Sequence, residues 1–226
     1  MDKSLRDHRR CTRLTVAVMT VAVCVAGAAC SLIALSREPV SKPARTRAFV
    51  TTFDRVLIAG FLAENVSDRG RAVDLNEETA RLLRMTLKSR ASMTIFDSQP
   101  VHLPQAAFTT ANPEQAVFND VAYWKRLGEE YQQPLILTGT VEFERAGAQS
   151  VERQIGPRAV TVWRPRFKLG GRLVLISGRT GEILDSLSLG PVTLQAPDER
   201  TSALALYFQL MDRLMPAVLD VFGATS

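Results

Sequence analysis

The sequence predicts an α/β fold: a compact sandwich on a mixed sheet, element order β-α-β-α-β-β-β-α, behind an N-terminal transmembrane or signal helix. Three observations predict it. Residues 56–61 and 135–138 are near-continuous apolar runs without helical periodicity, as buried strands are. Apolar residues recur at three- and four-residue intervals across 75–89, 117–131 and 202–222. Finally, residues 14–35 carry no charge at all.

That uncharged stretch would span about 33 Å as a helix, enough for a bilayer core of roughly 30 Å. Residues 1–13 form a basic tail with Lys3, Arg6, Arg9, Arg10 and Arg13 against Asp2 and Asp7, which places the amino terminus in the cytoplasm. Three readings of 14–35 compete: a retained anchor, a cleaved signal peptide ending in the small residues around Ala26, and a lipoprotein signal with lipid on Cys30. All three export the rest of the chain. Residues 36–54, with two prolines and scattered charge, read as a linker, and residues 55–223 as the exported domain.

Within the domain, Val56, Leu57, Ile58 and Phe61 mark the first strand. Asp74 then caps a helix over 75–89, with Glu77 three positions on and Leu75, Thr79, Leu82, Leu83, Thr86 and Leu87 on one face. A short strand at 93–96 ends at the turn-prone run from Asp97 to Pro100. Val117, Val121, Trp124, Leu127 and Tyr131 predict one helix over 117–131, closed by Pro134. The strand from 135 begins buried and ends in alternation. Its partner spans 166–176, with Gly170 and Gly171 permitting a bend, and a tight turn at 177–181 returns the chain as an antiparallel strand over 182–189. The last helix, 202–222, has Leu204, Phe208, Met211, Met215, Leu219 and Phe222 as its stripe, with Pro216 predicted to kink or split it.

Composition narrows the chemistry. The chain has 226 residues, 28 basic and 23 acidic, for a net charge of +5. Residues 1–13 hold +3 of this, so the exported part is only weakly basic, which argues against a nucleic-acid partner. Cys11, Cys24 and Cys30 all precede the domain, and His8 and His102 are the only histidines, so a thiolate or histidine metal site is not expected. No phosphate-binding glycine pattern and no G-x-S-x-G elbow occurs, so no cofactor is expected. The acid pairs Glu77 and Glu78, Glu129 and Glu130, Asp198 and Glu199 fit solvated or helix-end positions better than a shared catalytic pocket, as do Glu142 and Glu144 on one face of a strand end. The domain reads as no enzyme.

One local feature stands out of the charge pattern. Between Arg145 and Arg179 lie eight basic residues against the single acid Glu152, a balance of +7 that leaves the rest of the exported part near −5. Arg153, Arg158, Arg164, Arg166 and Lys168, with Val160, Val162 and Trp163 interleaved, read either as a solvated hairpin arm or as a docking arm for an acidic surface or envelope protein.

The first strand with Asn65 and Ser67 after it, the strand at 93–96, the stretch LGEEYQQPLILTGTVEF at 127–143 and the turn at Thr180-Gly181 together resemble the periplasmic α/β domain of curli-secretion lipoproteins of the CsgG type and of the amino-terminal domain of TolB. The resemblance implies an exported, non-enzymatic domain that works through protein contacts at the cell envelope and allows a homo-oligomer. Members of the curli-secretion type form an outer-membrane β-barrel. The only candidate strands here, 145–168, are too rich in arginine to face lipid, so no pore function is carried over. An auxiliary subunit of an envelope transporter is the alternative, and a carboxylate-based enzyme the more distant one.

Overall fold

The structure is a computed structural model describing residues 50–97, 101–104, 111–198 and 200–223. The chain divides into two units, Met1–Val40 and Ser41–Ser226, and all described residues belong to the second. The expected basic tail, the apolar helix at 14–35 and Cys30 lie outside the described residues. Among the described residues no helix is long and apolar enough to cross a membrane.

The elements are β1 (Arg55–Ala63), β2 (Val66–Asp68), β3 (Arg71–Val73), α1 (Leu75–Arg90), β4 (Thr94–Ile95), α2 (Pro113–Phe118), α3 (Val121–Glu130), β5 (Leu135–Ile155), β6 (Arg158–Ser177), β7 (Ile183–Gln195) and α4 (Ala203–Val221). Five strands form a mixed sheet in the order β4-β1-β5-β6-β7. The first three run parallel, and β5, β6 and β7 pair antiparallel as a meander. This is the predicted mixed α/β architecture.

Strand alternation sorts the core into two layers. Val56 and Ile58 of β1, Leu135 and Leu137 of β5, and Leu173 and Leu175 of β6 face α1 and α4. Leu57 and Ala59, Ile136, and Val174 and Ile176 face α2 and α3. Both faces are covered, so the runs are apolar at every position. Each fully buried Leu or Ile contributes roughly 1.5–3 kcal/mol relative to exposure.

The cap on α1 is as expected: the Asp74 side chain accepts from the amides of Asn76 and Glu77, and Leu75, Thr79, Leu83 and Leu87 are buried. The register of β1 on β5 shifts between Ile58 and Phe61. Two side chains satisfy the backbone there, since the Phe61 amide donates to Asn76 Oδ1 at 2.6 Å and the Thr138 hydroxyl donates to the Gly60 carbonyl at 2.6 Å. A Cβ on Gly60 would come within 2.8 Å of the Val101 carbonyl oxygen, so the position has no room for a side chain.

Four expectations need correction. The helix over 117–131 is two helices broken at Asn119-Asp120, because Asn112 and Asp120 each cap a new start, accepting from the Gln115 and Tyr123 amides. The polar stretch after β1 contains the β2–β3 hairpin. The last strand runs on to Gln195, past a register shift near the cis Gly190-Pro191 bond. Finally, α4 is not split at Pro216. Pro216 and Asp212, whose carbonyl loses its amide partner, both lie on the exposed side, where water can serve the carbonyl. Its buried stripe centres on Tyr207, Leu210, Leu214 and Val218, leaving Leu204 and Phe208 half-buried.

Candidate interaction arm

The strands β5 and β6 outrun the core. β1 accompanies β5 only to the pair Ala63–Val141, and β7 accompanies β6 outward only to Arg166–Gln195. Beyond those points only the Ala196 amide, donating to the Pro165 carbonyl at 2.8 Å, joins the β5–β6 pairing, which runs from Ala148–Pro165 to Ile155–Arg158. These eight rungs give a ribbon about 26 Å long at the usual rise of about 3.3 Å per residue. A lone two-stranded hairpin is marginal in water, and this one is held because its strands continue into the core sheet.

The local sequence makes the ribbon. Val160, Thr161 and Val162 are β-branched and suit a pleated strand. At the tip Gly156 has φ +62° and is followed by Pro157, whose ring fixes a negative φ, the sign pattern of a type II′ hairpin turn. At the root Ala146 and Gly147 oppose the single Arg166, and Gly147 has φ +90°. This two-against-one bulge turns β5 over by one position relative to β6.

The bulge decides which side chains share a face. Arg158, Val160, Val162, Arg164, Arg166 and Lys168 alternate along one face of β6. Past the bulge the rungs Gln149–Arg164, Val151–Val162 and Arg153–Val160 add Val151 and Arg153 to that face. The rungs Ser150–Trp163 and Glu152–Thr161 belong to the other face. Glu152 is therefore directed away from the arginines of the first face, while Arg145, opposite Phe167, lies on the Glu152 side. Of the candidate residues, Arg153, Arg158, Arg164, Arg166 and Lys168 come together, while Trp163, 61% exposed, does not join them. The expected interleaving holds for the valines and fails for the tryptophan.

Charge on the face is mostly unneutralised. Lys168 donates to Glu144 at 2.9 Å, and this carboxylate pushes the lysine pKa up from its ordinary value. Arg153, Arg158, Arg164 and Arg166 are in no ion pair among the described residues. Arg172, nearer the core, is bound to Glu114 at 3.2 Å and lies over the Phe118 ring, and Arg179 donates to Gln133. Of the eight cations, the four outer arginines are thus in no ion pair among the described residues, Lys168, Arg172 and Arg179 have partners, and Arg145 stands at the root opposite Phe167.

Below the arm, at the carboxyl end of β1, a cleft of about 250 Å³ has Leu62, Ala63 and Val141 in its wall and Glu64, Glu114 and Glu142 around it. Sequence reasoning missed it, because its residues come from three separate segments, 62–64, 113–114 and 140–142. Among the described residues no group of three His, Cys, Asp or Glu side chains is placed to hold a metal ion.

No family model matches the sequence, and no curated protein matches it. Among solved structures the chain is similar to lipoprotein GNA1162 from Neisseria meningitidis, with 14% identity over 73% of this chain and 96% of that one and a TM-score of 0.36. It is also similar to the hypothetical protein CT253 from Chlamydia trachomatis, at 11% identity over 75% and 98% and a TM-score of 0.40. The LpoB C-terminal domain from Salmonella enterica is a third, at 15% identity over 68% and 97% and a TM-score of 0.32. These three do not single out the curli-secretion or TolB type. Likeness at this level is a partial resemblance of chain trace, and it leaves the function to be argued from the arm.

Proposed function

We propose that the chain is a non-enzymatic, membrane-tethered module of a bacterial cell envelope that binds or assembles through protein contacts made by the β5–β6 arm. The observation that supports it is the one-sided arm: four arginines in no ion pair among the described residues, alternating with valines on a ribbon that stands clear of the core. Val160 is 42% exposed, and an exposed apolar residue between cations suits a protein surface that buries both. Residues 14–35 supply the tether in this reading, and residues 36–54 the reach. The domain stands outside the cytoplasmic membrane.

The test is co-purification from detergent-solubilised membranes, comparing the full chain with an Arg158→Glu/Arg164→Glu/Arg166→Glu variant. The native chain should fractionate with membranes and bring down the same envelope proteins reproducibly, and the variant should lose them while staying in the membrane. A chain found as a cytosolic monomer, or an unchanged set of partners in the variant, contradicts the proposal.

A further inference from the structure

The outer part of the arm and the cleft at its root are opposite in charge and both carry apolar groups, yet within one chain Arg153 and Arg158 cannot reach the cleft; of the cationic face, Lys168 at the root already feels the Glu142 charge. Glu142 in the cleft and Arg153 on the arm belong to the same β5–β6 ladder, with the one bulge at Ala146-Gly147 between them. Eleven residues of extended strand separate them, roughly 36 Å at about 3.3 Å per residue. Bringing Arg153 or Arg158 back onto Glu142 would require breaking the ladder between them. The match is open only to two different molecules.

From this we infer that the cationic face of the arm docks on a second copy of this chain, at the cleft bordered by Glu64, Glu114 and Glu142. The inference rests on the proposed role of the arm and names its partner. Charge complementarity carries it: the segment from Arg145 to Arg179 has a balance of +7, and the rest of the exported part is near −5. The apolar groups correspond as well. Val151, Val160 and Val162 lie on the arginine face, and Leu62, Ala63 and Val141 line the cleft together with the glutamates. Glu64 and Glu142 are in no ion pair among the described residues, so each is available to an incoming guanidinium. Because the two surfaces are at different places on the molecule, the same contact closes a two-fold dimer when two copies exchange arms, and builds a ring or a filament when each arm goes to a further copy.

The test is a charge exchange read by sedimentation velocity of the full chain in detergent. The native chain should form dimers or larger species that shrink as salt is raised. Arg158→Glu/Arg164→Glu should weaken association by about tenfold or more, and Glu64→Lys/Glu142→Lys should do the same. The chain carrying all four changes should recover most of the loss, since its acidic arm meets a basic cleft. Circular dichroism of each variant checks folding. If a reversed variant does not fold, the neutral exchanges Arg158→Gln/Arg164→Gln and Glu64→Gln/Glu142→Gln should each give the same direction of change. A monomeric native chain overturns the inference. So does association indifferent to the arm changes, or a fourfold variant no better than either pair. Loss of binding to phosphatidylglycerol vesicles with assembly untouched would assign the arm to lipid and overturn it too. If arm reversal strips away other envelope proteins from a chain that is monomeric throughout, the proposed function stands and this inference falls.

Discussion

The Tyr207 hydroxyl on α4 lies 2.6 Å from the Thr79 hydroxyl on α1, both side chains being buried. Thr79 also donates to the Leu75 carbonyl one turn back, so its single proton is used and Tyr207 must be the donor to Thr79. A directed chain from Tyr207 through Thr79 to Leu75 therefore joins the two helices that cover one face of the sheet. Tyr207 also meets Phe143 edge to face, with ring centroids 5.6 Å apart, and Phe143 stacks on Phe167. The same tyrosine thus links the helix pair to the strands that continue into the arm.

Removing either end of that pair should cost stability unequally. Thr79→Val strands a buried phenol and should lower unfolding free energy by about 1–3 kcal/mol, whereas Tyr207→Phe leaves Thr79 still bonded to Leu75 and should cost about 1 kcal/mol. Urea unfolding of the two variants and of the double variant checks this. The double variant should lose less than the sum of the single losses.

High pH should act through the same residue. Burial pushes the Tyr207 pKa up to about 12 from 10.0, so the fold favours its neutral form. Its contribution is present in full below about pH 10, where the unfolded tyrosine is also neutral, and is lost as pH rises to about 12, a decline of roughly 2–3 kcal/mol. In Tyr207→Phe the fall in stability between those pH values should be shallower by about one proton. Some fall should persist, because burial also raises Tyr123.

Asn76 should matter more than its partly buried setting on the first turn of α1 suggests. It accepts from the Phe61 amide where the register of β1 shifts. Asn76→Ala leaves that amide without its acceptor and should cost about 1–3 kcal/mol by thermal or urea unfolding. Asn76→Asp keeps an oxygen in place and should cost less.

Two successive residues after α3, Gln132 and Gln133, have φ of +62° and +58°. Left-handed backbone costs a residue with a side chain roughly 1–2 kcal/mol. Glycine should relieve it, less the entropy it adds to the unfolded chain, so Gln133→Gly should stabilise by about 0.5–1 kcal/mol in urea unfolding.

Much of this fold was legible in sequence for definite reasons. The short apolar runs at Val56–Ile58 and Leu135–Leu137 read as strands and are covered on both faces, and Asp74 marked where α1 begins. The break between α2 and α3 was readable too, since Asn112 before Pro113 and then Asp120 are successive cap signals that the apolar periodicity overrode. The β2–β3 hairpin was not, because it is tied down from afar: Asp68 accepts from the Ala203 amide and pairs with the Ser202 hydroxyl at the start of α4. For the arm, composition located the charge but not its face. Which residues stand together depends on the one extra residue opposite Arg166, and that is a property of pairing rather than of either strand alone.

Whether the arginine and valine face of the arm is a contact surface can be read by photocrosslinking in intact cells. A photoreactive residue is placed in the full chain at Val160 on that face or at Ala159 on the other. Position 160 should give discrete crosslinked protein bands, lost on raising salt in isolated membranes, and position 159 few or none. Equal crosslinking from both positions, or none from position 160, would mean that this face of the arm is no contact surface.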